Sequence, residues 1–116
     1  MDTPLRVKPL CRAGDIPEGA ATAVDALLRD GVDSVIVLRR EGRLHAYLNV
    51  CPHAGRRLDY APGKFLMRDD TLTCAVHGAT FRQASGLCVG GPCCGDSLRE
   101  IALRIDGDDA YLADGE

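Results

Sequence analysis

The sequence of 116 residues contains no tryptophan, two phenylalanines and three tyrosines. A core built from it must therefore rest on Val, Leu, Ile and Ala rather than on packed rings. No apolar run approaches the roughly 18 residues that a membrane-spanning helix requires. No apolar segment follows Met1 to Leu10, which mixes apolar residues with Asp2, Arg6, Lys8 and two prolines, so no signal peptide is expected. These absences point to a cytoplasmic chain without a membrane segment. Basic residues are not in excess either: 17 acidic against 14 basic give a net charge of −3. That balance argues against a nucleic-acid binder, which usually shows a basic stripe, and is compatible with docking onto a basic protein surface. There is no internal repeat and no low-complexity segment, and histidine is scarce, with three in the chain.

The length suits one domain, 1–116, with a modest core. Thirteen glycines and six prolines punctuate the chain at intervals that suit short strands joined by turns. Leu5 to Cys11 reads as a first strand, and Asp15-Ile16-Pro17-Glu18-Gly19 as a turn. Ala20 to Arg29 fits a helical face through Ala20, Val24, Leu27 and Leu28, with a strand ending near Leu27 as the competing reading. Val35-Ile36-Val37-Leu38 is a β-branched apolar run that predicts a strand buried on both faces. Arg40-Glu41-Gly42-Arg43 is a polar hairpin turn. Beyond it Leu44, Ala46, Leu48 and Val50 alternate with His45, Tyr47 and Asn49, which predicts a half-buried antiparallel partner. Thr71-Leu72-Thr73 and Ala79-Thr80-Phe81 are short strand candidates. Ile101, Leu103 and Ile105 lead through the turn Asp106-Gly107-Asp108-Asp109 into Ala110-Tyr111-Leu112. The sum is an all-β protein of mostly antiparallel sheets.

Six cysteines stand at 11, 51, 74, 88, 93 and 94. An even count suits a secreted disulfide framework, but without an export signal Cys/His groupings more often bind metal. Two segments carry such groupings: Cys51-Pro52-His53-Ala54-Gly55 and Cys74-Ala75-Val76-His77-Gly78. Each follows a predicted strand and pairs one thiolate with one imidazole. Structural zinc accepts two Cys and two His, and so does a [2Fe–2S] cluster with two Cys on one iron and two His on the other. Spacing favours the cluster. Zinc fingers place like donors together, whereas here each loop supplies one of each and can straddle two irons. On the cluster reading Gly55 and Gly78, without Cβ, let the main chain approach the sulfides; the alternative is that they are ordinary turn glycines.

The pair Cys-x-His and Cys-x₂-His resembles the Rieske [2Fe–2S] motif. The resemblance extends along most of the chain: Leu44 to Val50 before the first motif, Arg56-Arg57-Leu58 after it, and Phe81, Ser85-Gly86-Leu87 and Gly90-Gly91-Pro92 after the second. It implies cluster ligation by Cys51, His53, Cys74 and His77. It also implies three stacked antiparallel sheets and a cluster-binding subdomain at about 51–94 with Gly-Pro in its cover loop; it does not settle strand against helix at Ala20 to Leu27 but favours strand, against propensity. Two departures stand out. His53 and Cys74 are separated by 20 residues, longer than the commonest family spacing, and a turn over Met67 to Thr71 with Asp69-Asp70 at its tip is expected to absorb the excess. High-potential members carry an extra disulfide between the loops and hydroxyl donors near the cluster. The equivalent positions here are Arg56, Val76, Ala79 and Phe81, which predicts a potential near the low end of the class, about −150 mV. Two neutral imidazoles leave the oxidised cluster near zero charge, and their outer nitrogens can couple electron uptake to proton uptake at high pH.

The remaining residues are assigned simpler roles. His45 is a surface residue, not a ligand. Cys11 is a core residue, and Cys88, Cys93 and Cys94 are thiols near the cover loop without an assigned role. Arg56, Arg57 and Lys64 form a small basic group that either docks a partner or is solvated charge. An oxygenase with its own mononuclear iron needs two further His and a carboxylate, and only His45 is left over. The expected function is therefore not an enzyme but a one-electron carrier. Its donor is a flavin-dependent reductase and its acceptor an oxygenase or another redox enzyme. The alternatives are a small Rieske subunit of a larger oxidoreductase, such as nitrite reductase, and a zinc-bound structural module.

Overall fold

The computed structural model describes residues 9–28, 31–52, 57–75, 78–91 and 95–113. Among the described residues ten strands form three antiparallel sheets: β1 (Cys11–Arg12), β2 (Ala21–Leu28), β3 (Gly31–Arg40), β4 (Arg43–Leu48), β5 (Leu66–Arg68), β6 (Thr71–Thr73), β7 (Thr80–Arg82), β8 (Cys88–Gly90), β9 (Leu103–Asp106) and β10 (Asp109–Leu112). The sheet orders are β1-β10-β9, β2-β3-β4 and β5-β6-β7-β8. The helical elements among the described residues amount to one 3₁₀ turn, Ala13–Asp15. None is long and apolar enough to cross a membrane.

Alternation along β3 explains how the sheets stack. Val35 and Val37 face a core shared with Ile16, Ala26, Leu28, Ala46 and Ile101. Ile36 and Leu38 face a second core with Tyr47, Leu72, Phe81 and Cys88. The β2-β3-β4 sheet is thus the middle layer, and all four residues from Val35 to Leu38 are fully buried, as the apolar run predicts. The β3–β4 turn closes with Glu41 at φ 54° and Gly42 at φ 77°, the two successive positive values that match the twist of a two-residue hairpin. The Glu18 carboxylate accepts the Glu41 and Gly42 N–H groups at 2.6 and 2.9 Å.

Several expectations are revised. Ala21–Leu28 is a strand paired over its full length with β3, so tertiary pairing overrides the helical propensity of its Ala and Leu residues. The strand at Cys11–Arg12 is shorter than expected, extended by the Leu10 N–H bond to the Ala110 carbonyl at 2.7 Å; Leu5 to Lys8 lie outside the described residues. Tyr47 and Asn49, expected on an open polar face, are each 1% exposed: Tyr47 packs with Leu72 and Phe81 of the four-stranded sheet, and Asn49 meets the returning chain at Leu58. The turn expected over Met67 to Thr71 is confined to its Asp69-Asp70 tip, with Asp69 at φ 48°. Met67 and Arg68 belong instead to β5, paired with β6.

Candidate metal centre

The first cysteine loop leaves the end of β4 at Asn49 and re-enters the fold at Leu58. Both anchors are buried, and the Leu58 N–H donates to Asn49 Oδ1 at 2.9 Å. Asn49 is itself fixed to β3: its N–H donates to the Ser34 carbonyl at 2.9 Å and its Nδ2 to Ser34 Oγ at 3.2 Å. The second loop joins β6 to β7. Its neck is closed by the Cys74 N–H donating to the Ala79 carbonyl at 2.7 Å, and the Gly78 N–H donates back to the Cys74 carbonyl at 3.0 Å. Gly78 takes φ 76° there, a left-handed value that glycine adopts without steric cost. The loops are tied together where the Ala75 N–H donates to the Leu58 carbonyl at 3.2 Å.

This arrangement places Cys51 and Cys74, 0% and 1% exposed, in one apolar cluster with Leu58, Leu72, Ala79, Phe81 and Cys88. Neither thiol is in a disulfide. Two buried thiols from two converging loops are a donor set suited to a soft metal. Among the described residues no group of three or more His, Cys, Asp or Glu gathers as a metal site. The other two predicted donors, His53 and His77, lie outside the described residues, as do Gly55, Arg56, Val76, Pro92, Cys93 and Cys94. Ala79 and Phe81 are both fully buried, and neither side chain carries a hydrogen-bond donor.

A third segment packs onto the second loop. A Cβ at Gly91, whose φ is 87°, would stand 2.8 Å from Ala79 Cα and 3.1 Å from the Gly78 carbonyl oxygen. The chain beyond β8 therefore lies directly on the second loop's backbone. Cys88 precedes it, buried, with its Sγ 3.1 Å from the Gly90 carbonyl.

The residues beyond the loops settle into supporting roles. Arg57 makes a bidentate pair with Asp59, at 3.0 and 2.7 Å, and Gly63 N–H donates to the same carboxylate at 3.0 Å. Asp59 is held down to about 2, first by the Arg57 hydrogen bonds, and also by the Gly63 N–H and the Asn49 amide. The Arg57 charge is therefore matched within the chain. His45 is half-buried, and burial, followed by the nearby Arg43, lowers its pKa. Cys11 is half-buried, and burial, then Asp15, pushes its thiol up, which leaves it less reactive. Sequence reasoning missed Asn49 as an anchor. The available signal was its place two residues before Cys51, at the end of a strand.

Comparison with known proteins agrees with this geometry. Residues 6–103 match the Rieske [2Fe-2S] domain. The chain is 27% identical over 103 residues to the ferredoxin component of biphenyl 2,3-dioxygenase from Rhodococcus jostii (strain RHA1), covering 89% of this chain and 88% of that one. The ferredoxin of carbazole 1,9a-dioxygenase from Nocardioides aromaticivorans IC177 superposes with a TM-score of 0.68 at 25% identity, over 92% of this chain and 96% of that one. The terminal oxygenase of carbazole 1,9a-dioxygenase from Novosphingobium sp. KA1 superposes with a TM-score of 0.77 at 25% identity, over 94% of this chain. That match spans only 30% of the oxygenase's own length. With most of its length matched and two thiols buried together between converging loops, the chain belongs to the Rieske [2Fe-2S] domain family, and its cofactor is a [2Fe–2S] cluster.

Proposed function

We propose that this chain is a one-electron carrier in which Cys51 and Cys74 hold one iron of the cluster and His53 and His77 the other. Bound there, the cluster supplies reversible uptake and release of a single electron. Cys51 and Cys74 anchor it from inside the protein. The imidazoles follow each cysteine by two and three residues along the same segments. The single observation that carries the reading is the burial of Cys51 and Cys74 in one apolar cluster fed by two tied loops. The low-dielectric surroundings and the absence of side-chain donors at Ala79 and Phe81 favour the less negative, oxidised state, in keeping with a potential near −150 mV, roughly the low end of the class.

The whole chain acts on this reading as one domain, with the cluster-binding part at about 51–94. Its donor is a flavin-dependent reductase and its acceptor the terminal component of an oxygenase. The biphenyl and carbazole dioxygenase ferredoxins named above are matched over 88% and 96% of their own length, which supports a carrier over a permanent subunit.

The test begins with the purified holoprotein, which should be red-brown and give an electron paramagnetic resonance signal after one-electron reduction. Replacing His53 with Cys should keep a cluster but lower its potential strongly, because a thiolate adds negative charge. An unchanged potential in that variant would remove His53 from the ligand set. Carriage is checked by adding the protein to a flavin reductase and a terminal oxygenase and following turnover. Turnover should require the carrier and saturate with its concentration.

A further inference from the structure

We propose that Asn49 is a positioning residue that sets the separation of the two ligand loops, and thereby the retention and electronic signature of the cluster. The proposal rests on the ligand assignment above. Asn49 is 1% exposed, and its side-chain amide is used at both ends. Its Nδ2 donates to Ser34 Oγ on β3 at 3.2 Å, while its Oδ1 accepts the Leu58 N–H, nine residues along the chain, at 2.9 Å. That second bond closes the base of the loop that carries Cys51. The Leu58 peptide then passes the constraint on, because its carbonyl accepts the Ala75 N–H at 3.2 Å, one residue beyond Cys74. The sequence Ser34, Asn49, Leu58, Ala75 is thus a continuous line of hydrogen bonds from the middle sheet through one loop to the other. Cys51 stands two residues from Asn49, and Cys74 is adjacent to Ala75.

A cluster bridging two loops tolerates little change in their spacing. Partners outside the ligand shell fix ligand orientation, and their loss typically costs about 10- to 100-fold in metal affinity. Without the Asn49 oxygen, the buried Leu58 N–H loses its acceptor and the loop base opens, which moves Cys51 relative to Cys74.

The experiment compares holoprotein variants by the rate of cluster loss to a chelator, followed by visible absorbance, and by the electron paramagnetic resonance spectrum after reduction. Asn49→Ala should lose its cluster about 10- to 100-fold faster than wild type, with shifted g values in the fraction that retains it. Asn49→Asp keeps an oxygen for Leu58 and should restore the wild-type g values even where its unfolding temperature falls. Leu28→Ala, which thins the opposite core, is the control for lost stability alone. It should keep the wild-type spectrum when the proteins are compared at equal distance below their unfolding temperatures. If Asn49→Ala yields no folded chain, Asn49→Ser takes its place, because its hydroxyl is too short to reach Leu58. Equal loss rates and identical spectra for the Asn49 and Leu28 variants would overturn the positioning role alone. A wild-type holoprotein without a [2Fe–2S] spectrum would overturn the ligand assignment, and this role with it.

Discussion

The two cores on either side of the β2-β3-β4 sheet are held in different ways. One, between that sheet and β1-β10-β9, is aliphatic, and the middle sheet that forms one of its walls pairs β2 and β3 across eight residue pairs. The other lies under β5-β6-β7-β8, whose strands are three residues each. Strands so short contribute few ladder bonds. Side chains take over: Gln83 Nε2 donates to the Asp69 and Thr71 carbonyls at 3.2 and 2.8 Å, and the Tyr47 hydroxyl to the Gln83 carbonyl at 2.8 Å. Burial pushes Tyr47 up to about 12, so the phenol stays a donor at ordinary pH. The half carrying the thiols is thus pinned by Tyr47 and Asn49, which are rooted in the middle sheet, whereas on the other side Arg39 of β3 donates to the Ile16 and Ala13 carbonyls at 2.7 and 2.6 Å and adds to ladders that are already long.

The sharpest way to separate the two halves is to remove a thiol. Cys51→Ala or Cys74→Ala should abolish the [2Fe–2S] absorbance completely, while amide hydrogens of β2 and β3 remain protected from exchange. Loss of protection in the middle sheet would show that the halves are not separable. Next in size, Phe81→Ala should cost about 3–5 kcal/mol, since the ring is fully buried in the thiol-bearing core. Chemical denaturation of holoprotein would measure it, with cluster release preceding loss of the middle sheet. Gly91→Ala should cost about 1–3 kcal/mol, because the new Cβ meets the Ala79 and Gly78 backbone. Its signature is faster cluster loss with an unaltered β2–β3 hairpin.

The smallest effect is electrostatic. Asp59 titrates at about 2 in the fold, against an ordinary 3.8. Its folded value is depressed, so its contribution to stability is complete above 3.8 and is lost as pH falls through about 2. Asp59→Asn should therefore be less stable than wild type at neutral pH, with the gap closing across that acid window. A gap independent of pH, followed by thermal unfolding, would assign the loss to packing instead of charge.

Much of this was legible in the sequence where one signal dominated. The Cys-x-His and Cys-x₂-His spacing located both loops, the run from Val35 to Leu38 identified a strand buried on both faces, and Glu41-Gly42 marked its hairpin. In the aliphatic half β3 was read well because its apolar run is long enough for pattern to show, while β2 was not. The thiol-bearing half was read less well, for physical reasons. A three-residue strand such as Leu66–Arg68 or Cys88–Gly90 is too short to display a period of two. Tyr47 and Asn49 look like an outward face because nothing local announces what covers them. Ala21–Leu28 has helix-forming composition and becomes a strand only through pairing with β3. Asn49 stands two residues before Cys51 at a strand end, but its partner Leu58 lies nine residues on, so position alone does not name the contact.

The most direct test of the central claim uses pulsed electron paramagnetic resonance on reduced holoprotein labelled with ¹⁵N-histidine. Two histidine nitrogens should couple to the cluster spin; His53→Cys and His77→Cys should each remove one of them, and His45→Ala should remove neither. Absence of histidine coupling in the wild-type protein, or two undiminished histidine couplings in either of those variants, would contradict ligation by Cys51, His53, Cys74 and His77.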